Sequence, residues 1–441
     1  TETAEIADLY LPINPGTDIA LYNGMLHVLI RDGLLDSHYI AAHTQGFEAV
    51  AEIVRSYTPS VVAGICGIAE PDLVQAARWF GQSSAALSLY CQGLNQSAHG
   101  THNSASLIHL HLATGQIGKP GAGPFSLTGQ PNAMGGREVG GMANLLSAHR
   151  DLGNPVHRAE VAALWGIPEV PAKPGKTAVE LFKSLDAGEI KAVWIACTNP
   201  AHSMPNQAAV RQALSKAEYV VLQEAYAGTD TAEYADLLLP ASAWGEKHGT
   251  VTNSERCISR VLPAVDAPGE ARHDWEIVVN FAQRLASKLG TPELGRLFPY
   301  ANPEEIFNEH RETTRGRDLD ITGLSYAELD VAGPQQWPYP AGAQRGKQRL
   351  YEDGVFPTPD GKARFVPVEH QPTAEATSQE FPISLISGRM RDQWHGMTRT
   401  GTVPRLFNLE DEPELAMHPC DMRHRGLVSG DIVKLANARG E

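Results

Sequence analysis

The stretch that decides the fold spans residues 90–141 and reads YCQGLNQSAHGTHNSASLIHLHLATGQIGKPGAGPFSLTGQPNAMGGREVGG. The apolar run 85–90 leads into it and predicts a β-strand, after which Gly93 begins a turn towards a helix-like segment. Residues 115–141 then carry nine glycines and three prolines, which is poor material for a helix or a strand. Since this segment keeps too many apolar residues for disorder, we expect a functional loop that passes close to something large and polar.

Length and composition indicate a multidomain globular protein. At 441 residues the chain is too long for one ordinary core, and about three domains are expected. No apolar run approaches the roughly 18 residues of a membrane span, and no signal-peptide pattern opens the chain, so we expect no membrane partner. The sequence begins at Thr1 rather than at methionine, which leads us to expect further sequence before it.

The charge and the cysteines exclude several classes of function. A formal net charge of -15 argues against a nucleic-acid partner, which demands basic surface, but a pocket can still attract a small anion. No two cysteines form a C-x-x-C pair, which argues against a zinc site, an iron–sulfur site or a disulfide framework within this sequence. A cytoplasmic location is therefore expected for a protein with these five cysteines: Cys66, Cys91, Cys197, Cys257 and Cys420.

A βαβ unit is predicted in the first part of the chain. Residues 60–65 are predicted as a buried strand, 71–80 as a helix and 85–90 as a second strand. Ligands of parallel sheets bind beyond the carboxyl ends of the strands, and Gln96 follows the second strand there. A helix is also predicted over residues 47–57.

A further helix is predicted over residues 17–31, with Thr17 or Asp18 in the capping position. The free N–H groups at such a terminus suit a phosphate or the polar edge of a ring. A plain N-cap is the simpler explanation of the same residues, and the sequence pattern alone favours it.

Four histidines in or beside the predicted helix 100–115 invite a metal hypothesis. Positions two apart on a helix do not face each other, and the H-E-x-x-H pattern of zinc proteases is absent from the sequence. We therefore expect packing or polar lining rather than metal ligation from His99, His102, His109 and His111.

The second part of the chain predicts another doubly wound α/β unit. Strands are expected at 192–197, 219–222 and 237–239, with a helix at 206–216 and a short helix near 229–234. Polar side chains follow the strand ends, where a nucleotide could be bound: Asn199, Gln223 and Glu224.

Two further polar residues of this part have simple alternatives. Lys247 lies in the glycine-punctuated segment 240–256, and it could be a surface lysine. Asp274 precedes an amphipathic helix predicted at 275–289, and it could be only a cap.

The last part of the chain differs in composition, because it is more basic than the rest. Residues 356–365 predict a hairpin that turns at Asp360–Gly361, and strands are expected at 383–386 and from residue 431. Between the two later strands lies the densest cationic stretch of an acidic protein, which favours a phosphate-rich ligand. That stretch contains Arg389, Arg391, Trp394, His395, Arg399 and Arg405.

Five motifs in chain order resemble a molybdopterin oxidoreductase, and more narrowly the catalytic subunit of bacterial assimilatory nitrate reductases, with the periplasmic nitrate reductases as relatives. They are GLNQ (93–96), LATGQIGKPGAGPFSLTGQPNAMGGREVGG (112–141), CTNP (197–200), WGEKHGTVTNSER (244–256) and SGRMRDQWHGMTRTG (387–401). One glycine-rich loop would be weak evidence, whereas this ordered set covers essentially the whole chain.

The resemblance implies an α/β fold with two doubly wound, Rossmann-like lobes and the start of a β-rich, barrel-like C-terminal domain. The expected domains are residues 1–115, contacting one pterin guanine dinucleotide, 116–375, with the substrate funnel and the second dinucleotide, and 376–441, which begins the C-terminal domain.

The resemblance also implies two-electron reduction of nitrate to nitrite at molybdenum held by bis-molybdopterin guanine dinucleotide. Arg137 matches the family's arginine in the substrate funnel. The residues that match cofactor contacts are Thr17, Asp18, Gln92, Gln96, Asn199, Gln223, Glu224, Lys247, Asp274, Ser387, Gly388, Arg389, Met390, Trp394, His395 and Gly396.

The family's cysteine-rich iron–sulfur motif and its molybdenum-ligating cysteine have no match in this sequence. We therefore assign no metal ligand here and expect a 4Fe–4S cluster in sequence before Thr1, and we expect nitrate reduction from the full-length chain and no turnover from this stretch alone. The implied electron donor is a ferredoxin, a flavodoxin or an NADH-linked reductase subunit. The alternatives are a formate dehydrogenase of the same family and a non-catalytic nucleotide-binding fragment.

Overall fold

In the computed structural model, which describes residues 2–388, 390–408, 412–438 and 440, the first core forms around the helix Asp18–Arg31. Apolar side chains at helical spacing bury this helix on most sides, and Leu26 and Leu29 are almost inaccessible to solvent. Burial of each such leucine contributes about 1.5–3 kcal/mol. The helices packed around it are Phe47–Val54, Pro59–Cys66, Glu70–Gln82 and Gly100–Ala113.

The strand predicted at 60–65 is wrong, because this segment is the helix Pro59–Cys66. Proline at its first turn and the left-handed Gly67 at its end, with φ of 72°, are typical helix boundaries. A short apolar run cannot distinguish a buried strand from a buried helix by periodicity alone. Val62 packs so closely on Gly24 that a Cβ there would lie 2.8 Å from Val62 Cγ2, which holds the two helices together.

The first parallel strand pair joins Leu87–Tyr90 to Gly123–Ser126, with Tyr90 opposite Ser126. The crossover between them contains the helix Gly100–Ala113, so a βαβ unit exists one element later than predicted. The second strand lies inside the glycine-rich stretch, and it was not predicted because it begins with Gly-Pro, which is unfavourable in strands. Both carboxyl ends reach the same edge of the sheet, close to the residues that follow Tyr90.

The second α/β lobe agrees with the sequence prediction. Strands Ala192–Ala196, Tyr219–Glu224 and Leu237–Pro240 form one parallel sheet in that order, crossed over by the helix Gln207–Lys216. Its core contains buried side chains such as Ile195, Leu214 and Leu222. The predicted alternation of parallel strands and helices is therefore confirmed for this lobe.

A third core lies beside an antiparallel sheet of Gly249–Thr252, Cys257–Val261 and Gln335–Gln336. Its buried members come mainly from residues 319–339, and they include Leu319, Ile321 and Trp337. This core matters for the site because Trp337 reaches from it to the glycine-rich stretch.

The hairpin predicted at 356–365 is also wrong. A turn does form, since Phe356 N donates to Gly361 O at 2.9 Å, but the strand Ala363–Arg364 pairs in parallel with Thr44–Gln45. The partner lies more than 300 residues away, which no local pattern shows. The chain after it returns to the first core, where Asn23 Nδ2 donates to Val368 O at 2.9 Å.

The strands predicted at 383–386 and from residue 431 are wrong for the residues that the structure describes. Within the described part of 366–441, the only β-pairing is an isolated bridge between Asn437 and Gly440. A strand needs a ladder of hydrogen bonds to a neighbouring strand, and among the described residues neither segment forms such a ladder. The regular elements of this region are the 3₁₀-helix Thr400–Thr402 and the helices Pro404–Phe407 and Pro419–His424.

The remaining elements complete the fold. The other helices are Glu2–Glu5, Ser37–His43, Gln92–Asn95, Ala133–Glu138, Pro155–Trp165, Ala178–Asp186, Pro200–Ser203, Asp274–Lys288, Pro292–Gly295, Pro303–Thr313 and Tyr326–Ala332. Two short 3₁₀-helices span Asp230–Tyr234 and Trp244–Glu246, and Leu145–Leu146 pairs with Arg150–Asp151.

The two histidines at the end of helix Gly100–Ala113 belong to the core, as expected. His109 Nε2 accepts a hydrogen bond from Val366 N at 3.1 Å, and His111 Nε2 lies 2.7 Å from Ser88 Oγ. Burial lowers the pKa of His109 and of His111 to about 4, so both rings are neutral at neutral pH. They pack and hydrogen-bond within the protein.

Acidification should destabilise the fold through these two histidines. In the unfolded chain both histidines become protonated as the pH falls below the ordinary histidine pKa. In the folded protein they become protonated only near pH 4. Stability is therefore complete above about pH 6.5 and falls by about 3 kcal/mol per histidine as the pH drops to about 4. Denaturant unfolding of His109→Gln should show a shallower pH dependence than the wild type, and exposed His102→Gln should not. Equal slopes in all three proteins would contradict this assignment.

Candidate cofactor and substrate site

Four polar side chains meet at the carboxyl end of the second-lobe sheet, those of Cys197, Gln223, Lys247 and Asp274. Lys247 Nζ lies 2.5 Å from Asp274 Oδ2, and Gln223 Nε2 donates to Asp274 Oδ1 at 2.8 Å. The Cys197 thiol also donates to Asp274 Oδ1, at 3.4 Å. Gln223 is 2% exposed, yet its Oε1 has no hydrogen-bond partner among the described residues. Asp274 is thus the centre of a half-buried polar network with acceptor capacity left over.

The backbone explains why Asp274 lies there. Arg272 pairs in parallel with Ala241 just beyond the strand Leu237–Pro240, which brings the following helix Asp274–Lys288 to the strand ends. His273 is the N-cap, so the simple capping role considered for Asp274 is wrong. Burial alone would raise the pKa of Asp274, but hydrogen bonds from Lys247 and Gln223 outweigh it and lower that pKa. Burial and the Asp274 carboxylate together raise the pKa of Cys197 to about 11.

Asn199 and Glu224 lie at the same sheet edge but use their side chains locally. Asn199 Oδ1 accepts from Thr231 N at 3.1 Å and from Thr231 Oγ1 at 2.7 Å, and its Nδ2 donates to Asp230 at 3.2 Å. Glu224 Oε1 accepts from Ala225 N at 2.7 Å. These two residues hold the loops at the sheet edge beside the half-buried Asp274 network.

The cationic loop predicted to cross the pterin lies between two other parts of the site. A Cβ on Gly129 would lie 3.2 Å from the ring of Trp394, and a Cβ on Gly396 would lie 2.7 Å from His202 Cδ2. His202 belongs to the helix Pro200–Ser203, directly after the first strand of the second lobe. The loop therefore bridges the glycine-rich stretch and the second-lobe strand ends, and the absence of a side chain at Gly396 permits that close approach.

Within this loop the structure identifies Gln393, which sequence reasoning missed. Gln393 is 3% exposed, its Nε2 donates to Leu406 O at 3.3 Å, and its Oε1 has no partner among the described residues. The Trp394 and His395 rings make an edge contact at 4.7 Å. Ser387 and Gly388 are exposed and Met390 is half-buried, while Arg389 lies outside the described residues. The signal available in the sequence was a glutamine within a cationic stretch.

The first-lobe residues divide into two groups. Gln92 and Gln96 are exposed on and after the short helix Gln92–Asn95, and the neighbouring Cys91 thiol donates to Leu127 O at 2.9 Å. They therefore lie beside the glycine-rich stretch that contacts Trp394. Thr17 is buried, and its Oγ1 donates to Asn14 O at 2.7 Å, which explains it as a local turn residue. Burial raises the pKa of the adjacent Asp18.

Arg137 lies in the wall of a cavity of about 680 Å³. It is exposed in the last turn of the helix Ala133–Glu138. Burial raises the pKa of Tyr90 and of Tyr351, and the Arg137 charge partly offsets both rises. The charged lining of the cavity comprises Arg137, His149, Glu255, Arg256, Arg317, Asp318 and Arg349.

Glu138 anchors the helix that carries Arg137, and sequence reasoning missed it. It is 3% exposed, accepts from Trp337 Nε1 at 2.5 Å through one oxygen, and accepts from Thr252 Oγ1 at 2.9 Å through the other. Burial raises its pKa despite these bonds. Glu138 is the only acidic residue in the stretch 90–141, a signal that the sequence did contain.

Loss of the Glu138 acceptors should destabilise the protein. Glu138→Ala leaves the Trp337 and Thr252 donors buried without a partner, which should cost about 2–4 kcal/mol in the free energy of unfolding. Glu138→Gln keeps an oxygen that accepts from Trp337 Nε1 and an amide group that can donate to the Thr252 hydroxyl, so it should cost about 1 kcal/mol or less. Denaturant unfolding measures both variants, with exposed Glu169→Ala as the control. Equal losses for the alanine and glutamine variants would contradict the anchoring role.

Two general features accompany the site. Among the described residues, no group of three or more His, Cys, Asp or Glu side chains could hold a metal ion. Across the same part of the chain, no helix is both long and apolar enough to span a membrane.

Comparison with family models gives two matches. The model "Molybdopterin oxidoreductase" matches residues 1–284, and the model "Molydopterin dinucleotide binding domain" matches residues 383–441. An acetylene hydratase from Pelobacter acetylenicus superposes with a TM-score of 0.70 at 21% identity, covering 98% of this chain and 61% of that one. The predicted fold class, that of the molybdopterin oxidoreductases, is confirmed.

Curated relatives include nitrate reductases and formate dehydrogenases. A nitrate reductase from Synechocystis is 42% identical over 94% of this chain and 58% of its own length. The assimilatory nitrate reductase catalytic subunit of Bacillus subtilis is 34% identical, over 100% of this chain and 63% of its own. An F420-dependent formate dehydrogenase subunit alpha from Methanocaldococcus jannaschii has the same identity and coverage. The chain thus spans about three fifths of these relatives.

Proposed function

Because the chain belongs to the molybdopterin oxidoreductase family, we propose that it is the catalytic-subunit portion of a nitrate reductase, which reduces nitrate to nitrite with two electrons. The similarity to nitrate reductases at 34–42% identity supports this substrate. The structural observation that carries the proposal is the position of Arg137 in a cavity lined by three further arginines.

This cavity suits a small planar monoanion. The protein carries a formal net charge of -15, so a cluster of four arginines with Glu255 and Asp318 as the carboxylates is a local reversal of its field. A guanidinium presents paired N–H donors that match two oxygens of such an anion. Arg137 is mounted on a helix fixed by Glu138, so it can hold nitrate in one orientation.

We propose bis-molybdopterin guanine dinucleotide as the cofactor, and the residues present fit it. The Asp274 carboxylate and the unpartnered Gln223 Oε1 supply acceptors for guanine N–H groups, and Lys247 supplies a cation for a phosphate. Gly129 and Gly396 let the Trp394 ring and the His202 ring pack directly on the backbone, which holds the cationic loop between the two parts of the proposed site. When bound, the cofactor supplies the electron transfer and oxygen-atom chemistry. The chain's own residues bind the anion, orient it and exclude water from it.

Several wider expectations belong to the same proposal. They are a 4Fe–4S cluster held by sequence outside this chain, and a ferredoxin, a flavodoxin or an NADH-linked reductase subunit as electron donor. We also propose a cytoplasmic location, in keeping with the assimilatory relative.

A formate dehydrogenase is the second candidate, since a relative of that name aligns with the full chain at 34% identity. Formate is also a small planar monoanion, so the cavity admits either substrate. A non-catalytic nucleotide-binding fragment is the third alternative.

One set of assays separates the three. The purified holoenzyme, which includes the sequence proposed to hold the 4Fe–4S cluster and the molybdenum ligand, should contain molybdenum and release a fluorescent pterin on oxidation, and reduced viologen should drive nitrite formation from nitrate. Formate-dependent dye reduction without nitrite formation would support the second candidate instead. Protein without molybdenum, pterin or either activity would support the non-catalytic alternative.

A further inference from the structure

The cationic loop, taken here as residues 390–407, is attached to the two lobes by side-chain packing. Among the described residues, every hydrogen bond of 392–407 has its partner within 390–408. Three non-glycine residues of the loop have left-handed backbone, with φ of 59° at Asp392, 45° at His395 and 63° at Met397. Such strain persists only where the surroundings impose it. The packing contacts of the loop therefore decide its conformation.

One of these contacts is made by the ring of His202. A Cβ on Gly396 would lie 2.7 Å from His202 Cδ2 and 2.8 Å from His202 Nε2, and the three atoms nearest to that Cβ all belong to this ring. One edge of the imidazole therefore lies directly on the loop backbone. Since His202 belongs to the helix Pro200–Ser203, this contact joins the loop to the second lobe.

A different edge of the same ring faces Asp230. His202 Nδ1 lies 3.7 Å from Asp230 Oδ2, and the same oxygen accepts a hydrogen bond from Asn199 Nδ2 at 3.2 Å. Arg211 Nη2 donates to the other oxygen, Oδ1, also at 3.2 Å. The bonds from Asn199 and Arg211 lower the pKa of Asp230, so this carboxylate is charged at neutral pH. Asp230 is thus a fixed anion beside the ring.

Asn199 is itself fixed from within the lobe. Its Oδ1 accepts from Thr231 N at 3.1 Å and from Thr231 Oγ1 at 2.7 Å, which orients the amide nitrogen towards Asp230. The side chains of His202 and Asp230 are 50% and 40% exposed, and an ion pair so exposed contributes little to global stability. These contacts should therefore affect the position of the loop more than the stability of the fold.

We propose that Asn199, Asp230 and His202 form a positioning relay, which holds the cationic loop against the strand ends of the second lobe. Asn199 then acts on the cofactor through this loop and not by direct contact. The identity of the cofactor rests on the proposed function, whereas the contacts within the relay do not depend on it. Loss of any member should let the loop open and the cofactor leave faster.

Hydrogen exchange in the holoenzyme, read by mass spectrometry of peptides covering 390–407, tests the relay. His202→Ala should speed exchange of these amides about tenfold, while peptides covering the strand Tyr219–Glu224 keep their wild-type rate. His202→Gln keeps a side-chain donor for Asp230 and should recover part of the protection. Exposed His38→Ala is the matched control and should leave the loop unchanged.

Gly396→Ala tests the same contact from the loop side. Its Cβ would displace the His202 ring, so exchange of the loop should rise about as much as in His202→Ala. The double variant should exchange no faster than either single variant, because both remove one contact. Fully additive effects would overturn the relay, as would wild-type exchange of the loop in both single variants. If one variant does not fold, the other decides alone.

Cofactor release separates the relay from a direct contact. During dialysis of the holoenzyme, molybdenum and pterin should be lost roughly 3–10-fold faster from His202→Ala than from the wild type, with an unchanged midpoint of denaturant unfolding. Asn199→Ala should show the same faster loss together with faster loop exchange. Faster cofactor loss from Asn199→Ala with wild-type loop exchange would make Asn199 a direct contact and overturn the relay.

The two proposals fail separately. Hydrogen exchange needs neither nitrate nor an electron donor, so it reports on the relay alone. Faster loop exchange in His202→Ala of a protein that forms no nitrite from nitrate would contradict the nitrate reductase and retain the relay. Nitrite formation by a protein whose loop exchange is unaffected by His202→Ala and Gly396→Ala would do the reverse.

Discussion

Replacement of Arg137 with alanine should lower kcat/KM for nitrate by about 10²–10³-fold while molybdenum and pterin contents stay at the wild-type level. The guanidinium lies in the cavity wall and is absent from the Asp274 network, so its loss should affect anion capture and leave cofactor loading intact. Arg137→Lys keeps the charge without the paired donors, and its kcat/KM should lie between those of the wild type and Arg137→Ala. The measurement is viologen-linked nitrite formation normalised to bound molybdenum.

Arg284→Ala, at an exposed position of the helix Asp274–Lys288, is the matched control and should leave both activity and molybdenum content unchanged. Loss of molybdenum in Arg137→Ala in proportion to the loss of activity would contradict the assignment, because it would make Arg137 a cofactor contact. Undiminished kcat/KM would contradict it equally.

Asp274→Ala should have the converse effect and reduce the cofactor content of the purified protein. The carboxylate accepts from Lys247 and Gln223 and is the acceptor proposed for guanine, so its loss should weaken dinucleotide binding by about 10–100-fold. Activity per bound molybdenum should remain close to that of the wild type. Metal analysis and pterin fluorescence after dialysis measure the effect, with exposed Asp266→Ala as the control.

The pH dependence of this network has a definite sign. The pKa of Asp274 is lowered in the fold, so its contribution is present above the ordinary aspartate pKa and is lost as the pH falls through the lowered value. Cofactor retention should therefore persist under mildly acidic conditions and fail only under strongly acidic ones.

An Asp274→Ala protein that keeps its full cofactor content would contradict the role of Asp274 in cofactor binding. An Asp274→Ala protein whose residual cofactor is inactive would contradict the assignment of anion capture to Arg137 alone.

The sequence predicted the second lobe well because its strands and helices alternate at regular spacing between recognisable turns. It failed at 60–65 because a short apolar run is compatible with either structure, and the flanking Pro59 and Gly67 were the better guide. The pairing of Thr44–Gln45 with Ala363–Arg364 depends on tertiary contacts across the whole chain, which no local pattern carries.

The site was predictable to a similar extent. Motif resemblance identified Gln223, Lys247 and Asp274, and the structure brings these three into direct contact. The supporting residues Glu138 and His202 were missed because their importance comes from partners such as Thr252 and Gly396, far away in sequence. Roles of the exposed residues remain predictions, and so do the domain boundaries at 115 and 375.

A crystal structure of the molybdenum-loaded protein with nitrate or nitrite bound tests the central claim most directly. The anion should lie in the Arg137 cavity, with its oxygens about 2.7–3.1 Å from the guanidinium nitrogens, and the guanine of one dinucleotide should contact Asp274. An Arg137 cavity filled by the dinucleotide itself, or an anion bound elsewhere, would contradict the account.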